Sequence, residues 1–156
     1  MAATSAGLLL HRVSGGVVQV LLVHPGGPFY VRKDEGAWSI PKGEHGADDH
    51  PHATALREFE EEIGRPPPPA APEGDRDLGQ VVQRNGKRVR CFARSGDLDV
   101  TTIASNEFEL EWPPRSGRVQ RFPEVDRAEW FDLPTARRKL NPAQAELIDR
   151  LEAALA

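Results

Sequence analysis

Residues 65–74 read RPPPPAAPEG, and no regular element can run through them. Each proline fixes φ and removes a backbone donor, so the run can neither continue a helix nor lie inside a sheet. It reads as a stiff, exposed connector. Neither flank alone would make a full core, so the run joins two parts of one fold rather than two domains. The length of 156 residues agrees with a single domain spanning 1–156. With 38% hydrophobic and 28% charged residues, the chain is composed like a globular protein and not like a disordered one.

The connector sets the reading of its neighbours. Before it, residues 51–63 have a helical pattern: Pro51 suits a first turn, Asp48 or Asp49 can cap, and Gly64 is a natural stop. Earlier still, 6–13 (AGLLLHRV) and 16–23 (GVVQVLLV) are apolar and rich in β-formers around Ser14-Gly15-Gly16, which predicts a hairpin. FYVRK at 29–33 and WSIP at 38–41 read as short extended segments, with Pro41 biasing Ile40 away from helix. After the connector, 78–84 and 87–94 flank Asn85-Gly86, a strong two-residue hairpin signal. NEFELEW at 106–112 is a further strand candidate, and 113–125 reads as a loop carrying Arg115, Arg118 and Arg121. AEWFDL at 128–133 reads as a strand, LPTARRKL as a helical turn, and 142–155 as an amphipathic closing helix with Pro142 near its start. Strands with two or three helices predict an α/β fold: a mixed sheet with helices on its faces.

The residues just before the connector carry the chemistry. Arg57-Glu58-Phe59-Glu60-Glu61-Glu62-Ile63-Gly64 gathers four carboxylates in little more than one turn, where like charges three and four apart repel. At about 100° per residue, with Glu58 at zero, Glu62 lies near 40° and Glu61 near 300°, while Leu56, Phe59 and Ile63 form the apolar side. Glu60 points away from the trio. Arg57 stands four residues before Glu61 and can pair with it across one turn. A merely solvated face would do better with mixed charges, so the cluster asks for a counter-charge. Carboxylates at i, i+3 and i+4 offer an oxygen-only nest suited to Mg²⁺ or Mn²⁺, hard cations that commonly bridge to phosphate oxygens. The preceding loop, PKGEHGADDH, contains glycines that let backbone approach a ligand closely.

Other features narrow the partner. The net charge of −4 argues against a long nucleic acid, while a few local cations suffice for a small phosphorylated ligand. The single cysteine, Cys91, rules out a disulfide within the chain and suits a reducing compartment. The amino terminus lacks the order of features of a signal peptide, and no apolar stretch approaches the ~18 residues of a membrane span. A cytoplasmic protein that meets no membrane is expected. Arg32 and Lys33 are either phosphate contacts or a polar strand edge. Tyr30 and Trp38 are either stacking surfaces for a base or core aromatics; for Trp112 and Trp130 the core reading is preferred. His45, His50 and His52 match no standard zinc spacing. There is no Walker loop, Rossmann fingerprint or nucleophile elbow.

Gly43, five residues, Asp49, seven residues, then REFEEEIG resembles the Nudix box, G-x5-E-x7-R-E-U-x-E-E-x-G-U, and WSIPKGE at 38–44 resembles its entry. The likeness extends loosely over most of the chain, with WFDL at 130–133 similar to members that hydrolyse dinucleoside polyphosphates. Two positions depart: Asp49 replaces the usual glutamate, and Arg65 stands where an aliphatic is expected. The resemblance implies a Nudix-type α/β/α sandwich and hydrolysis of a nucleoside diphosphate linked to another group. It implies that Glu58, Glu61 and Glu62 hold the divalent metal, that Arg57 orients them, and that the Lys42 carbonyl adds a ligand. Either Glu61 or Glu58 would be the general base. A downstream carboxylate often assists in the family; Glu107, Glu109 and Glu111 are candidates, with Glu111 preferred. The substrate order is a dinucleoside polyphosphate, then an oxidised nucleoside triphosphate, then an ADP-sugar. The competing readings are a nucleotide-sensing Nudix fold without catalysis and an acidic interaction domain.

Overall fold

The computed structural model describes residues 4–156. Among the described residues the elements follow one another as β1 (Thr4–Ser14), β2 (Val17–Pro25), β3 (Lys42–His45), α1 (Pro51–Ile63), β4 (Arg76–Val82), β5 (Arg88–Ser95), β6 (Glu107–Glu111), β7 (Val119–Pro123), β8 (Val125–Asp132), α2 (Leu133–Lys139), a short 3-10 turn (Pro142–Gln144) and α3 (Ala145–Leu155). A six-stranded sheet runs in the order β4-β5-β1-β2-β8, and β3 pairs with the start of β1. β1 and β5 run parallel and the other described pairs antiparallel, so the sheet is mixed. Among the described residues no helix is long and apolar enough to cross a membrane.

Alternation along the central strands builds two cores. Ala6, Leu8 and Leu10 of β1, with Leu21 and Val23 of β2, face Ala55, Phe59 and Ile63 of α1. Leu9, Val20 and Leu22 point the other way, toward Leu133 and Ala136 of α2 and Leu147, Ile148 and Leu151 of α3. Because both faces are covered, β1 reads as a nearly continuous apolar run rather than a strict alternation. Phe59 and Ile63 are fully buried, each contributing about 1.5–3 kcal/mol. The α/β/α sandwich is the fold expected, and both hairpins form, the second closing at Gln83 and Lys87 around residues 84–86 rather than through the two-residue Asn85-Gly86 connection expected.

Four local expectations are corrected. Residues 29–33 form a turn, not a strand: Tyr30 N–H donates to Gly27 O and Lys33 N–H to Tyr30 O. WSIP makes only single bridges, Val23 with Ser39 and Trp38 with Leu140. The presumed loop 113–125 contains β7, which pairs with β6 as a separate two-stranded ribbon. The cap of α1 is His50, with no side-chain bond, because Asp49 turns back to accept the Gly46 N–H at 2.8 Å.

Candidate functional site

Helix α1 delivers its apolar side to the sheet and thereby fixes where its carboxylates go. Phe59 and Ile63 are buried, Glu60 is exposed, and Glu58, Glu61 and Glu62 lie half-buried between them, as the helical projection requires. The helix stops where Gly64 takes the left-handed conformation (φ 87°) and donates to Glu60 O at 2.7 Å. A side chain there would also strike the Ala104 backbone. The last carbonyls are met from outside: Ala104 N–H donates to Ile63 O and Asn106 N–H to Glu61 O, both at 3.0 Å.

On the other side, β3 runs against the helix. A Cβ at Gly43 would coincide with the Glu58 carboxyl group, so only glycine lets that carboxylate lie flat on the strand. Glu58, Glu61 and Glu124 line one cavity of about 400 Å³, whose walls also include Lys42 and Lys87. Glu62 turns to the far side of Lys42, where its carboxylate accepts the Lys42 N–H at 3.4 Å and shares a smaller cavity, about 160 Å³, with Glu124. Arg57 stands 3.6 Å from Glu58 and 3.9 Å from Glu61. These long, exposed pairs orient the carboxylates more than they stabilise the fold.

Burial sets the electrostatics. It pushes the Glu62 carboxyl up to about 8, against the pull of the Lys42 ammonium and N–H. Glu58 is raised by burial and then by the Glu61 charge, with Arg57 opposing. Glu124 is raised by burial and then by Glu61. Lys42 is lowered by burial, which outweighs the attraction of Glu62. Four neighbouring groups are thus held away from their ordinary ionisation, as happens where a site awaits a charged ligand.

A third cavity, about 260 Å³, shares Lys42 and Lys87 with the first and adds Tyr30, Gln83, Asn85 and Gln144. Gln144 is fully buried; its amide donates to Gln83 Oε1 at 3.0 Å and to Ser39 Oγ at 3.1 Å, and its oxygen accepts the Ile40 N–H at 3.0 Å.

The remaining predicted residues divide. Tyr30 reaches this third cavity, while Arg32 and Lys33 are exposed on the turn, with the Lys33 ammonium 5.3 Å from the Tyr30 ring centre. Trp38 is core, not a stacking surface: it is 1% exposed, donates to Asp34, and meets Phe131 edge-on. Glu111 sits on the β6–β7 ribbon and accepts the Arg115 N–H, and Glu107 and Glu109 pair with Arg121. None of these three lines the cavity of Glu58 and Glu61; the downstream carboxylate there is Glu124. Sequence reasoning missed Glu124 because an isolated glutamate between two strands carries no pattern. Lys87 had a weak signal, since it follows the Asn-Gly turn. The histidines are dispersed: His45 faces Gly46 O and His52 pairs with Asp75. Cys91 is fully buried, and burial pushes its thiol up, so it is inert.

The donors around the cavity are carboxylate oxygens, which fits a hard divalent cation in kind. Among the described residues no three acidic, histidine or cysteine side chains already close on one point, so Glu58, Glu61 and Glu124 would have to draw together around it. A mixed sheet between two helical layers, with an acidic helix pressed on a glycine of β3, defines the class to which this molecule belongs. The chain is a member of the Nudix family: it matches the NUDIX domain over residues 1–151. Among solved structures it resembles the NUDIX domain of Shewanella oneidensis NrtR, complexed with ADP ribose (TM-score 0.67, 17% identity, 100% of this chain and 90% of that one). It also resembles a C. elegans Ap4A hydrolase in a binary complex (0.65, 18%, 99% and 98%) and a MutT protein from Methanosarcina mazei Go1 (0.61, 18%, 99% and 95%). No curated protein matches by sequence.

Proposed function

We propose that this protein is a divalent-metal-dependent pyrophosphohydrolase that cleaves a phosphoanhydride in a nucleoside diphosphate linked to another group, with a dinucleoside polyphosphate or a nucleoside triphosphate preferred. The observation that carries this reading is the joining of Glu58, Glu61 and Glu124 with Lys42 and Lys87 around one cavity, next to a second lined by amides and Tyr30. Mg²⁺ or Mn²⁺, held by Glu58, Glu61, Glu62, Glu124 and the Lys42 carbonyl, would screen phosphate charge and acidify water. Glu61 or Glu58 takes the proton from the attacking water. Arg57 keeps those two carboxylates in place. Lys42 and Lys87 bind the polyphosphate and offset charge on the leaving phosphate. Tyr30 and the amide of Asn85 receive the nucleoside, with Gln144 bracing Gln83 behind them.

The test is incubation with Mg²⁺ and a panel containing diadenosine tetraphosphate, nucleoside triphosphates and ADP-ribose, scored for mononucleotide, phosphate and pyrophosphate. Turnover of one member, abolished by EDTA and by Glu61→Gln, is expected. Nucleotide binding without turnover of any member would replace the enzyme with a sensor.

A further inference from the structure

His24 is a titratable side chain that the proposed chemistry does not use, and it is 1% exposed. Its Nδ1 lies 2.8 Å from Asp126 Oδ1 and its Nε2 lies 2.7 Å from the Lys33 carbonyl oxygen. The ring bridges the two groups, one nitrogen against the carboxylate and the other against the carbonyl. Trp38 packs edge-on at 5.1 Å and holds the ring plane.

The placement of Asp126 is deliberate in the backbone. His24 pairs with Arg127 but Pro25 pairs with Val125, so Asp126 is the extra residue of a bulge. A bulge re-aims one side chain without ending the ladder. The same junction fixes Glu124, whose carbonyl accepts the Gly26 N–H at 2.9 Å and whose N–H donates to Asn106 O at 2.8 Å. On the other side, Lys33, held by its carbonyl to His24, donates its own N–H to Tyr30 O at 2.9 Å. One ring therefore stands between two pieces of the candidate site.

We propose that His24 is a positioning residue: its ring clamps the turn bearing Tyr30 to the bulge at the start of β8, next to Glu124, so that the nucleoside side and the carboxylate side of the site keep their spacing. The consequence for catalysis rests on the proposed function; the clamp itself does not. Tyr30 is the one tyrosine of the chain, so 3-fluorotyrosine labelling of the full-length protein reports this turn alone.

The ¹⁹F position should move toward free fluorotyrosine in both His24→Gln and Asp126→Asn, the second variant serving should the first not fold. For the best substrate of the panel, KM should rise about tenfold in Asp126→Asn, a loss of roughly 1.4 kcal/mol in binding. An unmoved ¹⁹F signal or an unchanged KM in the folded variants would overturn the proposal. If the parent hydrolyses nothing, the enzymatic reading fails while the ¹⁹F result in the two variants still decides the clamp.

Discussion

Glu62→Gln should make the metal-free protein more stable and less active at once. In the folded protein burial raises this carboxyl from 4.5 to about 8. A group raised on folding contributes most below its unfolded value and loses that contribution as pH climbs to the folded one. The parent therefore weakens between pH 4.5 and about 8. At pH 7 the loss is about 3 kcal/mol, from roughly 1.4 kcal/mol per unit over the interval above 4.5. Glutamine keeps the shape and an oxygen to accept the Lys42 N–H, but has no charge to bury. Lys42 loses its counter-charge, so about 3 kcal/mol is the ceiling. That corresponds to a melting point higher by roughly 6–12 °C for a chain of this size. Parent and variant would be melted in EDTA at pH 5, 7 and 8, then again with excess Mg²⁺. The two curves should converge at pH 5 and separate as pH rises, and Mg²⁺ should raise the parent far more than the variant by mass action. Equal pH dependence of the two proteins in EDTA would refute the burial argument; equal response to Mg²⁺ would remove Glu62 from the ion's surroundings.

On the proposed reading, in which Glu61 or Glu58 takes the proton from water, Glu61→Gln should lower kcat by about 10²–10⁴-fold while the melting point in EDTA stays near the parent's. Gly43→Ala drives a methyl into the Glu58 carboxyl and should cost about 1–3 kcal/mol in urea unfolding. Adding Glu58→Ala should restore stability but not turnover. Arg94→Met should cost about 3–5 kcal/mol in the same assay, since Arg94 holds the buried Asp75 through two bonds of 2.8 Å and the Pro68 carbonyl at 2.9 Å.

What the sequence showed, and what it hid, follows from where each signal lives. Strands β1, β2 and β5 were legible because burial imposes composition on them, and α1 because its two faces differ so sharply. The turn at 28–32 was misread as a strand since Phe29, Tyr30 and Val31 are β-formers; these are exposed instead, and the segment bends under the ribbon, with Phe29 edge-on to Trp112 at 5.3 Å. Strand β7 was hidden because every residue of Val119–Arg121 is exposed, leaving no apolar alternation to detect.

The site divides along the same line. Its local half, Arg57 through Glu62, could be read because helical geometry turns spacing into direction. Its non-local half could not. Glu124 enters through a junction tied by Gly26 and Asn106, residues 98 and 18 positions away along the chain, and Lys87 arrives at the tip of a hairpin whose only mark is an Asn-Gly turn. Glu107, Glu109 and Glu111 were put forward, with Glu111 preferred, by a local argument, the alternation of acids along a strand, which says which face a residue takes but not what that face meets. That strand pairs with β7 in a ribbon apart from the main sheet, so its carboxylates find Arg115 and Arg121 instead of the cavity. A periodic pattern can place a side chain on a face; only the pairing of strands distant in sequence can place that face beside α1.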